Sequence, residues 1–111
     1  MKVQLTDKAL RWRIDERELA ALLAGDPVSL APCAGALGLA CLLALSDDDT
    51  PRFDPTAGRW SLRLPRALVE AHVATLPSRE GVRVDIGALS FLFEVDVRES
   101  VRAGRSRAPA R

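Results

Sequence analysis

LRWRIDERELAALLAGDPVSL, residues 10–30, changes its hydrophobic period in the middle, and the change decides the fold. Leu10, Trp12 and Ile14 alternate with Arg11 and Arg13, the two-residue period of a half-buried strand with a basic outer face. From Asp15 onward the apolar residues fall at Leu19, Leu22 and Leu23, one stripe of a helix. Asp15 suits the N-cap, Glu18 three residues later completes a capping box, and Ile14 and Leu19 hold the positions of a hydrophobic staple. Gly25 supplies a left-handed stop. The spacing therefore predicts a helix over residues 16–24, followed by a short alternating strand at Val28-Ser29-Leu30.

Outward from this segment the same order appears twice. Val3 and Leu5 alternate with polar neighbours and reach Leu10 through a turn at Thr6-Asp7-Lys8-Ala9. Beyond Val28-Ser29-Leu30, a loop from Pro32 to Gly38 leads to Leu39–Leu45, apolar on both faces as in a central strand. After the polar linker Ser46-Asp47-Asp48-Asp49-Thr50-Pro51, a short strand at Arg52-Phe53-Asp54 turns through 55–58 into Trp60, Leu62 and Leu64, which alternate with Ser61 and Arg63. Pro65 fits the first turn of a helix, and Leu68, Val69, His72, Val73 and Leu76 share one helical face. Val82, Val84 and Ile86 alternate, as do Leu89, Phe91, Phe93, Val95 and Val97. Arg13-Ile14-Asp15 overlays Arg63-Leu64-Pro65, and Leu19, Leu22 and Leu23 overlay Val69, His72 and Val73. The expected domain spans 1–98, in strand–strand–helix–strand–strand halves of 1–46 and 51–98 related by a pseudo-twofold axis. The tail at 99–111 has four arginines among Ala, Gly, Ser and Pro, and its composition predicts disorder.

The opening MKVQLTDKALRWRIDERELAALLAGDPVSL, and RWSLRLPRALVEAHVATL (59–76) followed by GVRVDI (81–86), resemble the swapped-hairpin unit of AbrB/MazE-type transition-state regulators and antitoxins. Leu64-Pro65 before a helix and the Gly25-Asp26 turn match that family's pattern. The resemblance implies an α+β fold, a small antiparallel β-barrel with two short helices, with one chain supplying both units. Residues 1–97 also resemble a family of small bacterial proteins of unknown function, which implies no activity.

At 111 residues the chain is one domain, and a hydrophobic share of 48% is enough for a core. Sixteen basic residues against fifteen acidic give a net charge of +1, so no global field draws in nucleic acid or an anionic membrane. No apolar run reaches the length of a membrane span, and the first residues lack the pattern of a signal peptide. The expected location is cytoplasmic, in a bacterium with a GC-rich genome, and the expected state a monomer or weak dimer. Cys33 and Cys41 form no CxxC motif, and a reducing cytosol leaves them as thiols.

Arg11, Arg13, Arg59 and Arg63 are the candidate nucleic-acid-binding residues, because arginines on an outward strand face contact phosphates without reading bases. The competing reading is a solvated face that guards sheet edges. Asp47-Asp48-Asp49 with Asp54 lacks the spacing of a calcium loop and reads as a solvated linker. His72 has no nucleophile or orienting carboxylate beside it and reads as a helix residue facing the core. Cys33 and Cys41 read as small apolar fillers, and Trp12 and Trp60 as core anchors whose indole N–H groups need partners. No catalytic residue, metal site or cofactor is expected. The sequence points to a non-enzymatic binding or regulatory domain with a protein partner or DNA. The alternatives are a DNA-binding regulator or antitoxin, and a small-molecule-binding protein or enzyme with a pocket at the barrel mouth.

Overall fold

The computed structural model describes residues 1–77 and 80–97, so the domain end at 98 and the tail at 99–111 lie outside the described residues. The order is β1 (Lys2–Leu5), β2 (Leu10–Asp15), α1 (Glu16–Leu23), β3 (Val28–Leu30), β4 (Ala40–Ser46), β5 (Arg52–Asp54), β6 (Arg59–Pro65), α2 (Arg66–Val73), β7 (Val82–Ile86) and β8 (Leu89–Asp96), with a 3-10 turn at Pro32–Gly35.

The closed antiparallel barrel expected from the AbrB/MazE resemblance does not form. The strands make two separate four-stranded sheets, ordered β1-β2-β8-β7 and β3-β4-β6-β5. Each is mixed: antiparallel hairpins flank a central parallel pair, β2 with β8 and β4 with β6. Period-two alternation reports which face a strand buries, not the direction of its neighbour, so the parallel pairing left no mark in the sequence. Closure would need the outer strands of one sheet to bond those of the other. In the second sheet these outer strands, β3 and β5, have three residues each.

Each sheet is built across the two halves. The first takes its β1-β2 hairpin from residues before the linker and its β7-β8 hairpin from residues after it; the second takes β3-β4 from before and β5-β6 from after. The registers match under a shift of fifty positions. Arg13 faces Glu94 in the first sheet, and Arg63 faces Ala44 in the second; Asp15 faces Asp96, and Pro65 faces Ser46. Inward residues of both sheets close on one core. Trp12, Ile14, Phe91, Phe93 and Val95 come from the first sheet, and Cys41, Leu43, Leu62 and Leu64 from the second. Leu19 and Leu22 of α1 and Val69 of α2 join them, with the buried His72 edge-on to Phe93. Phe53, on β5, bridges the layers: its ring lies 4.8 Å from Phe91 and 6.5 Å from Trp12, centroid to centroid.

Local chemistry explains why the helices start where they do. Asp15 Oδ1 accepts a hydrogen bond from the Glu18 amide at 2.7 Å, and Glu18 Oε1 accepts one from the Asp15 amide at 3.1 Å, a complete capping box. Gly25 takes φ +100, and the Asp26 amide donates back to the Ala21 carbonyl, closing the helix in a left-handed turn. At the equivalent N-cap of α2, Pro65 provides no side-chain acceptor. We expect Asp15→Ala to lower stability by about 1 kcal/mol, measured as a fall in the urea midpoint. An unchanged midpoint would show that tertiary packing alone sets the start of α1.

Candidate anion-binding face

Because both sheets bury their inner faces in one core, their outer faces point to opposite sides of the molecule. The four candidate arginines divide accordingly. Arg11 and Arg13 stand on the outer face of the first sheet, and Arg59 and Arg63 on the outer face of the second. They do not form one patch.

The two outer faces carry different charge. On the first, Lys2, Arg11, Arg13 and Arg83 are interspersed with Asp15, Asp85, Glu94 and Asp96. Arg11 is neutralised by Glu94, which accepts from its Nε at 2.9 Å and lies 2.8 Å from its Nη2. Arg83 reaches Ser90 and lies 3.7 Å from Asp85. On the second sheet the positions of Asp15, Glu94 and Asp96 are taken by Pro65, Ala44 and Ser46. Two of the four basic positions persist, Arg52 for Lys2 and Arg63 for Arg13, while Ser61 and Ser29 take those of Arg11 and Arg83.

The result is a basic, carboxylate-poor surface. Arg52 and Arg63 sit directly opposite each other on adjacent strands, about 5 Å apart, an arrangement that like charges disfavour. In the first sheet the same juxtaposition, Lys2 against Arg13, has Glu94 on the other side; here that side is Ala44. Arg59 lies four residues before Arg63 on the same strand face, about 13 Å away. The side chains of Arg59 and Arg63 are exposed and have no ion-pair or hydrogen-bond partner among the described residues. The nearby Asp54 carboxylate is engaged by the Thr56 amide at 3.1 Å and the Thr56 hydroxyl at 2.6 Å. Between the arginines the face carries Ser29, Ala40, Leu42, Ala44 and Ser61, with Asp54 opposite Ser61. Among the described residues it holds no aromatic ring.

Arg52 was not among the sequence candidates. It stands in a three-residue strand with too few positions to show alternation. Counting back from the 55–58 turn, in the register of a hairpin, was the signal that would have placed it beside Arg63.

Trp12 is fully buried, as a core anchor should be, but its indole Nε1 has no hydrogen-bond partner among the described residues. Trp60 is half-buried, 6.3 Å from Phe53. Cys41 is buried, and burial pushes its thiol pKa up. Cys33 corrects the filler reading: it is exposed, in a turn where both it and Ala34 take φ +54. Among the described residues no three His, Cys, Asp or Glu groups converge in a way that would hold a metal ion, and no helix is long and apolar enough to cross a membrane. With no barrel there is no barrel mouth. A groove of about 500 Å³ lies instead between the helices, lined by Leu19, Leu23, Val73, Leu76 and Val97 with Glu16. Its lining is mostly aliphatic and, among the described residues, presents no acid–base pair. No protein-family model matches the chain, and no curated protein matches it.

Proposed function

We propose that this chain is a non-enzymatic binding module of regulatory type, and that it seats a nucleic-acid phosphate backbone on the outer face of its second sheet. One observation carries the reading. Two sheets of matching topology differ in charge: the second presents Arg52, Arg59 and Arg63 with Asp54 as the carboxylate on its paired strand positions, where its twin interleaves four basic with four acidic residues. A solvated surface serves solubility best with mixed signs, and a like-charged pair in register costs sheet stability. Guanidinium groups offer planar forks that fit phosphate oxygens. The absence of an aromatic ring from this face argues against single-stranded ligands, which bind by base stacking. The contacts therefore position a duplex without reading its sequence.

The test is fluorescence anisotropy with a random duplex at several salt concentrations. Three phosphate contacts give a slope of log K against log salt of about −3. The Arg59→Ala/Arg63→Ala variant should bind about tenfold or more weakly at low salt and reduce the slope by about 2. Arg11→Ala/Arg13→Ala should change little, since Glu94 already neutralises Arg11. Equal losses from the two variants, or none from either, would refute the assignment of the second sheet.

A further inference from the structure

We propose that the acidic linker Asp47-Asp48-Asp49 is an intramolecular competitor for the arginine face, one that selects polymeric anions over small ones. The inference rests on the anion-binding reading of the second sheet and concerns how that site is controlled. The linker runs directly into β5, and Asp48 Oδ2 lies 3.7 Å from Arg52 Nε. Arg52 stands in register with Arg63, so the Asp48 carboxylate sits at the border of the basic cluster. Both members of the Asp48–Arg52 pair are exposed, with side chains 59% and 71% accessible. Such a pair contributes little to holding a fold together. Its consequence lies in the field over the face: the Asp48 carboxylate beside Arg52, with Asp47 and Asp49 adjoining it in the chain, lowers the positive potential that an incoming anion meets.

An anion must therefore displace the linker from Arg52 before it has the whole cluster. A small anion makes one or two contacts, and the linker competes on nearly equal terms. A polymer brings a row of phosphates and gains Arg59 and Arg63 together with Arg52, so displacing one exposed ion pair is a minor cost. The linker is free to yield, because its side chains are exposed and Asp48 is the member within ion-pair distance of an arginine. This gives the Asp47–Asp49 run a role that a solvated connector between halves does not need.

The test uses the full chain carrying Asp47→Asn/Asp48→Asn/Asp49→Asn, which removes charge and keeps side-chain size. Binding of a labelled random duplex and of inorganic tripolyphosphate is measured by anisotropy and calorimetry. At low salt the variant should bind the duplex about threefold to tenfold more tightly, and the gain should vanish as salt screens the face. Tripolyphosphate should gain proportionally more than duplex. Asp48→Asn alone should supply the largest single share, with an unchanged melting temperature. Duplex affinity equal in wild type and variant would overturn the competitor role and leave the arginine face standing. A gain that persists at high salt would also overturn it, since its origin would not be electrostatic. If neither protein binds duplex or tripolyphosphate, the anion-binding face falls and the competitor with it.

Discussion

Made as separate chains, residues 1–48 and 49–111 should each fail to fold, and mixing them should restore the native structure. The topology dictates this. A chain cut in the linker leaves the first fragment with β1-β2 and β3-β4, two hairpins that belong to different sheets. Their inner strands, β2 and β4, lose the parallel partners β8 and β6 and become bare edges. The core is divided almost evenly: Trp12, Ile14, Leu19, Leu22, Val28, Cys41 and Leu43 on one side, Leu62, Leu64, Val69, Phe91, Phe93 and Val95 on the other. Neither set has anything to close against, and chains of this size are marginal even with a complete core. Far-ultraviolet circular dichroism should show little structure for either fragment. A one-to-one mixture should regain the intact protein's spectrum, with a melting temperature that rises with concentration because folding is now bimolecular. A fragment that folds cooperatively as a monomer would disprove the exchange of hairpins between halves.

That exchange shows where sequence reading stops. The capping box of Asp15 and Glu18, the left-handed Gly25 and the turn at Thr6–Ala9 are contacts within five residues, and the residues themselves announce them. The matching strand-to-helix junctions were legible for a related reason: Arg13-Ile14-Asp15 and Arg63-Leu64-Pro65 overlay in sequence, and their registers agree under one shift. Pairing between halves left no such trace. Arg11 and Glu94 are 83 residues apart, and nothing near either one says that their strands run parallel. An antiparallel barrel was the inference available from alternation and resemblance, and it failed on this point. Cys33, in the loop before β4, was misread on another ground. Gly35 and Gly38 were available for left-handed positions, yet Cys33 and Ala34 adopt positive φ as well, and the cysteine is turned outward.

The candidate site was half legible. Basic residues at alternate strand positions named Arg59 and Arg63 but equally named Arg11 and Arg13, because the four look alike in the chain. What separates them is the occupant of the neighbouring strand, Glu94 in one sheet and Ala44 in the other. Those residues lie in segments whose own patterns concern burial. The same holds for the linker, whose three aspartates read as solvent-facing until β5 set Arg52 beside Asp48 and opposite Arg63.

Trp12 should be the most costly single side chain to remove and one of the cheaper ones to replace with phenylalanine. It is fully buried, at the centre of the core, edge-on to Phe53 from the other half. Trp12→Ala leaves a cavity that the two sheets cannot both close, a loss of about 3–5 kcal/mol. Against a total of about 5–15 kcal/mol for a domain, this is enough to populate the unfolded state. Trp12→Phe differs in kind. The indole Nε1 is buried without an acceptor among the described residues, which costs about 1–3 kcal/mol relative to a paired donor. Phenylalanine keeps an aromatic edge for Phe53, gives up part of the volume and removes that orphaned donor, so the net change should stay within about 1 kcal/mol. Urea midpoints for the two variants decide the matter. If Trp12→Phe costs as much as Trp12→Ala, the N–H has a partner such as an internal water, and the donor is not a burden. A double-mutant cycle with Phe53→Leu adds a second reading. A coupling of about 0.5–1.5 kcal/mol between Trp12 and Phe53 would come from a contact spanning both sheets and both halves. It would thus measure, at one ring pair, how strongly each half depends on the other.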